Sequence, residues 1–409
     1  MTVRKLILRY SLQAMAAGVL AAGCNASRRG MPAVPGPAQP VPAVSRTAAS
    51  PTRDYTVFVV AESADQVAFV RFGPGGLELE RSTKVGLMPT EINGPHGVAV
   101  SPDGRFYYVS VAHGTPYGTL WKFDARTDSL VGRVTLGSFP ATVQTTPDGA
   151  LAFVVNFNVH GEMVPSSVSV VATDEMLEIA RTTTCTMPHG SRINAQGTRH
   201  YSACMMDDLL VEIDAQTFGV TRHFLLAAGK EMGMSGPPAS MQHAGGHAGM
   251  NHDSAAMAVS EVQCSPTWAQ PSVSGDRIYV ACNKSNEIVE VDVTSWRALR
   301  RMPAGNGVYN LGVSPDGRLL VATNKRDKSV SFIDIASGQE LAKVPTKRRI
   351  AHGVVVSPDS RYAFVTQEGV GSEPGTLEVF DLSTFSSVGS LDLGQQAAGL
   401  DFYRMGAER

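Results

Sequence analysis

Beyond its first two dozen residues the chain lacks any apolar run long enough to cross a membrane as a helix, and it carries no sustained 3.6-residue apolar period. An α-helical domain is thereby excluded. Charge of one sign is also missing, with 35 Lys and Arg against 37 Asp and Glu for a formal net charge of −2. No basic stripe is available to follow a phosphate backbone, so nucleic acid is excluded as a partner. Neither a glycine-rich phosphate loop nor a Gly-x-Ser-x-Gly elbow occurs, which removes nucleotide and serine-hydrolase chemistry of those types. Cysteine is scarce at five residues.

What is present is a repeat. His96-Gly-Val-Ala-Val-Ser-Pro-Asp-Gly-Arg returns as His352-Gly-Val-Val-Val-Ser-Pro-Asp-Ser-Arg, with weaker copies between. Turns align at Ser101, Thr146, Asn194, Val273, Ser314 and Ser357. Most intervals match the roughly 40–50 residue period of a four-stranded propeller blade. A β-branched and aromatic run such as Phe106-Tyr-Tyr-Val-Ser-Val111 follows the turn, where Pro sets φ and Gly accepts positive φ. A third run then ends in Asp, at Asp124, Asp214, Asp292, Asp334 and Asp381. A further unit assembles from both ends, Ala398–Tyr403 supplying its innermost strand and residues 55–85 the other three. The expected fold is all-β, a seven-bladed β-propeller over residues 54–409 closed by N- and C-terminal strands sharing one blade.

These motifs resemble the YVTN-type seven-bladed propeller repeat family, which includes lactonase-like members. The resemblance implies the fold and leaves the activity open, because related propellers serve as lactonases, lyases, electron-transfer subunits and binding scaffolds.

The N-terminus reads as an export signal. Arg4, Lys5 and Arg9 precede an apolar stretch from Tyr10 to Ala22, too short for a membrane span, which ends in Leu20-Ala-Ala-Gly-Cys24. This resembles a bacterial lipoprotein box over residues 1–24, with Cys24 as the lipidated residue and membrane attachment through its lipid; ordinary cleavage near Ala22 is the alternative. The resemblance implies a periplasmic or outer-membrane-anchored protein, or one at the cell surface if there is a single membrane. Residues 25–53, with six prolines, form a semi-rigid tether.

The other cysteines, Cys185, Cys204, Cys264 and Cys282, are even in number and occupy matched places in consecutive blades. Cys185 stands four residues before His189 and Cys264 four before Trp268, the two residues read here as equivalent. Pairs Cys185–Cys204 and Cys264–Cys282 would join the opening of a first strand to the end of its antiparallel neighbour. Four cysteines allow three connectivities. Cys204, followed by Met205 and Met206, has the alternative reading of a soft metal ligand.

The strongest chemical signal is an insertion over residues 227–263. It carries Met232, Met234, Met241, His243, His247, Met250, His252 and Met257 among Gly and Ala spacers. Thioethers suit Cu(I) and neutral imidazoles suit Cu(II) or another divalent ion, so copper is the expected ligand. The stretch resembles the Met/His-rich loops of bacterial periplasmic copper-resistance proteins. A plain surface loop is the bland alternative.

A second cluster is expected at the mouth of the central channel. The residues opening the first strands read as His96, Ala141, His189, Trp268, Tyr309, His352 and Ala398. Loops after the second strands add His113, His160, Glu162 and Glu368. His96, His189 and His352 are candidate metal ligands or catalytic groups, or else hydrogen-bond a neighbouring blade's backbone. His200 and His223 sit inside strand patterns and read as structural. Three functions follow in order: an exported copper-binding propeller with a possible envelope protein partner, a metal-dependent enzyme of lactonase or lyase type, and a metal-free protein- or glycan-binding scaffold.

Overall fold

The computed structural model describes residues 50–88, 91–113, 117–239 and 261–408. The chain opens with β1 (Tyr55–Ala61), β2 (Gln66–Gly73) and β3 (Gly76–Lys84). Blade one is β4 (Pro95–Val100), β5 (Phe106–Val111), β6 (Thr119–Asp124) and β7 (Leu130–Thr135). Blade two is β8 (Pro140–Thr145), β9 (Leu151–Asn156), β10 (Pro165–Ala172) and β11 (Leu177–Thr186). Blade three has β12 (Pro188–Ile193), β13 (Arg199–Cys204), β14 (Leu209–Asp214), β15 (Val220–Leu225) and a fifth strand, β16 (Met232–Ser235). Blade four is β17 (Pro266–Pro271), β18 (Arg277–Cys282), β19 (Glu287–Asp292) and β20 (Arg297–Pro303). Blades five and six are β21 (Val308–Val313) to β24 (Glu340–Pro345) and β25 (Ile350–Val356) to β28 (Ser386–Leu393). The last strand, β29 (Ala397–Met405), is the inner strand of blade seven, in the order β29-β1-β2-β3. Consecutive first strands touch all the way round, β29 to β4 included, so the ring is closed.

The repeated turn residues explain the repeated hairpins. The Ser101 hydroxyl donates to the Asp103 carboxylate (2.6 Å) and accepts from the Phe106 N–H (2.9 Å), while Gly104 takes φ 68°. Ser314 and Ser357 do the same with Asp316 and Asp359 (2.5 and 2.7 Å). Each Asp ending a third strand closes the next turn: Asp124 accepts from the Arg126 and Thr127 N–H groups, and Asp334 from Ser337. These are Asx-type turns, which is why the position demands Asp.

The core lies between blades rather than at the axis. Tyr55 and Phe72 of blade seven meet Tyr362 of blade six, both at 5.1 Å, and Phe58 stacks on Tyr107 of blade one at 4.3 Å. Each buried ring contributes about 2–3 kcal/mol by burial. Two disulfides, Cys185–Cys204 and Cys264–Cys282, tie β11 to β13 and the approach to β17 to β18. They select one of the three connectivities and point to an oxidising compartment. They also remove Cys204 as a metal ligand.

Candidate functional site

The strands present their opening residues to the axis through one device. The residue just before the first strand is left-handed in six blades: Gly94, Phe139, Met187, Ser265, Gly307 and Gln396, with φ between 48° and 67°. The second strand residue then faces the axis. Pro188 pairs with Cys204 and Pro266 with Cys282, so the partner of His189 in the repeat is Thr267, and the expected equivalence of Trp268 is corrected by one residue. Cys264 sits two residues before its strand-opening proline where Cys185 sits three before, which explains separations of 18 and 19. Trp268 instead lines a small channel cavity of about 30 Å³ that it shares with His96, His189, His352, Arg192 and Asn310.

Hydroxyls lock these opening residues in place. Ser110 donates to the carbonyl of Ala141 (2.6 Å), Thr142 to His189 (2.7 Å), Thr267 to Tyr309 (2.8 Å), Thr323 to His352 (2.7 Å) and Thr366 to Ala398 (2.5 Å). In each case one blade clamps the next. The glycine after each histidine has its own reason, since a Cβ on Gly97 would lie 2.3 Å from the Ala141 carbonyl and one on Gly190 2.2 Å from that of Thr267.

His96, His189 and His352 do converge, as a four-ring collar completed by Tyr309. Ring centroids lie 6.1 Å apart for His96–His189, 5.2 Å for His189–Tyr309, 5.0 Å for Tyr309–His352 and 5.7 Å for His352–His96. Two charged groups flank it. Glu62, buried in the loop between β1 and β2, bridges His96 Nδ1 (2.8 Å) and His113 Nε2 (2.9 Å). Lys325 donates to Glu368 (3.1 Å), lies 3.8 Å from the Tyr309 ring centre, and shares the Glu368 oxygen with His352 Nε2 at 3.5 Å. His160 stands outside, 6.1 Å from the His113 ring, and Glu162 is exposed.

Electrostatics follow from burial and pairing. Burial pushes the Glu62 carboxyl up, yet His96 and His113 together bring it down to about 2. The hydrogen bond to Glu62 raises His113 above the usual imidazole range, against burial. Burial lowers His189 to about 3 and drives His352 well down, with Lys325 adding to the latter; burial also lowers Lys325 against the pull of Glu368. His189, His352 and Tyr309 therefore stand as neutral imidazoles and phenol, with Glu62 and its two histidine partners on one side and the Lys325–Glu368 pair on the other.

Glu62 and Lys325 were not expected from sequence. Both occupy the loop after a second strand, the place that singled out His113 and Glu368; applying the same rule to every blade, the split one included, finds them.

Among the described residues no three histidine, cysteine, aspartate or glutamate side chains are arranged to hold a metal ion. The collar shows why. His189 Nδ1 donates to the Thr267 carbonyl (3.0 Å) and its Nε2 accepts from the Tyr309 hydroxyl (2.8 Å), leaving no lone pair, while Lys325 already brings a cation to the ring. Metal binding by His96, His189 and His352 would therefore require the Tyr309 hydroxyl to release His189 Nε2. His200 is buried and stacked on Phe153 at 4.9 Å, and His223 Nδ1 donates to the Gly236 carbonyl, both structural as read.

Of the Met/His tract, Met232 and Met234 fall in β16, while Met241, His243, His247, Met250, His252 and Met257 lie outside the described residues, as does Cys24. A Cβ on Gly233 would meet the Trp296 ring at 2.4 Å, so β16 lies against blade four there, and Met232 and Met234 line a cavity of about 870 Å³ with Trp296, Arg300 and Arg301. Met234 pairs directly across from His223. The two ends of the tract return together: Pro238, Ala239, Glu261 and Val262 line one cavity, and Asp208 accepts from the N–H groups of Gln263, Cys264 and Ser265 at 2.6–3.0 Å.

Fold and closure define the class: a seven-bladed β-propeller with a polar collar at one mouth. The chain is similar in structure to a functionally unknown protein from Desulfotomaculum acetoxidans (TM-score 0.60, 16% identity, 85% of this chain and 98% of that one). It is also similar to Kuenenia stuttgartiensis hydrazine synthase (TM-score 0.55, 13% identity, 80% and 96%). At these identities the likeness is one of fold. No family model and no curated protein matches the sequence.

Proposed function

We propose that the chain is an exported, lipid-anchored propeller that binds copper through Met232, Met234, Met241, His243, His247, Met250, His252 and Met257, for sequestration, delivery or sensing in the cell envelope. The observation that carries it is the tract itself: soft thioethers and borderline imidazoles interleaved in one insertion suit copper in either oxidation state. Met232 and Met234, two residues apart on strand β16, support a fixed starting point for that ligand set. The two disulfides and the Cys24 motif support export and anchoring.

Elemental analysis of the exported protein tests this. Copper is expected in the intact chain, absent after deletion of residues 232–257, and retained when His96, His189 and His352 are all changed to Ala. No copper above background after incubation with Cu(I) and Cu(II) overturns the reading.

One observation favours a second reading, an enzyme of lactonase or lyase type. Glu62 held ionised between two imidazoles, across the collar from Lys325 and Glu368, is a set of groups able to move protons. Turnover of a small lactone by the tract-deleted protein, lost in Glu62→Gln, would establish that enzyme.

A further inference from the structure

Exposed apolar side chains are unevenly placed on this propeller. Leu87, Met88 and Ile92 of the link from blade seven to blade one, Tyr117 of blade one, and Met163 and Val164 of blade two are each more than half exposed. All lie in links between blades or in loops between second and third strands, the face of the collar. Among the described residues only Val273 is an exposed large apolar side chain in a turn of the opposite face; Met206 of blade three and Val370 of blade six lie on the collar face outside this arc, and the rest are scattered along outer strands. A contiguous apolar arc of this kind on one face marks an interaction site.

Another sector of the same face carries three exposed cations. Arg326 and Lys328 of blade five and Arg349 of the link to blade six are exposed and have no carboxylate partner among the described residues. The apolar arc centres on blade one and the basic arc between blades five and six, about two and a half blades apart, a little over a third of the seven-blade ring.

We infer that this face docks a protein segment carrying apolar side chains and carboxylates together, its apolar residues on Leu87, Ile92 and Tyr117 and its acids on Arg326, Lys328 and Arg349. Charge complementarity selects that partner. The described residues before β1 join the propeller at the opposite face, where Tyr55 pairs with Met405. The inference is independent of copper binding.

Fluorescence anisotropy on the full-length protein tests it, with a labelled peptide alternating Leu or Phe with Glu. Matched probes replace every Glu by Lys or every apolar residue by Ser. The acidic apolar peptide is expected to bind, more weakly as salt rises. Affinity should fall at least about tenfold in L87E/I92E and equally in K328E/R349E, with V273E unchanged and all variants melting like the parent. Equal binding of the Lys probe, binding that ignores either double variant, or no binding at all overturns the proposal. So does sedimentation showing a dimer that L87E/I92E dissociates, or attachment to phosphatidylcholine vesicles through Ile92 in place of the peptide.

Discussion

Single side chains at the mouth have roles that neighbouring carbonyls and charges dictate. Glu62 is buried because two imidazoles neutralise it, so Glu62→Gln should cost about 2 kcal/mol, the worth of hydrogen bonds to a charged group. It should also drop the His113 pKa toward the ordinary imidazole range; denaturant unfolding and an NMR titration of the His113 ring check the two halves. Gly94 shows how tightly that pair is held. A Cβ there would lie 1.7 Å from the His113 ring at a φ of 60°, so Gly94→Ala should displace His113 and lower its pKa much as Glu62→Gln does. His200 behaves oppositely. Both its ring nitrogens are buried without partners, and replacing it by Phe, which can keep the stack on Phe153, should stabilise the protein by about 1–2 kcal/mol.

At the level of the strand and its turn, sequence and structure agree wherever a motif carries the geometry. Ser-Pro-Asp-Gly turns, the Asp at third-strand ends and the even cysteine pairs were legible because each residue makes the contact its chemistry suggests. Trp268 was misplaced because the cysteine before β17 lies one residue nearer its strand than the cysteine before β12, and spacing from cysteine carried that error forward. Strand β16 was not foreseen, since four residues containing Gly233 hold no alternating pattern of their own and pair only because β15 offers a free edge. Each disulfide closes a short loop, with sequence separations of 19 and 18. The double substitution C185A/C204A should therefore remove about 3 kcal/mol, measured by denaturant unfolding under non-reducing conditions. C264A/C282A should remove a similar amount, and the two losses should add, because the bridges lie in different blades.

For the molecule as a whole, pH sensitivity follows from which imidazoles are buried neutral. His189, His200 and His352 hold pKa values pushed down by burial, His189 and His200 to about 3. Below the unfolded value of about 6.5 the unfolded chain takes up protons the folded chain refuses, so stability falls as pH drops. His113 works in the other direction: its raised pKa stabilises fully below about 6.5 and is lost as pH rises through the raised value. Three against one, unfolding free energy should decline between pH 6.5 and 4.5, with a slope about one proton shallower in His200→Phe. The seven-fold ring was readable because repeats announce themselves, whereas the collar needed the ring closed before Glu62, from the first loop, could meet His96 and His113. That closure has a bearing on biogenesis. Because Ala397–Met405 follows every other strand of the ring in the chain yet is the innermost of its blade, the circle stays open until those nine residues arrive. A nascent chain thus remains an unsealed crescent until then, and a protease that clips this single strand reopens the whole circle.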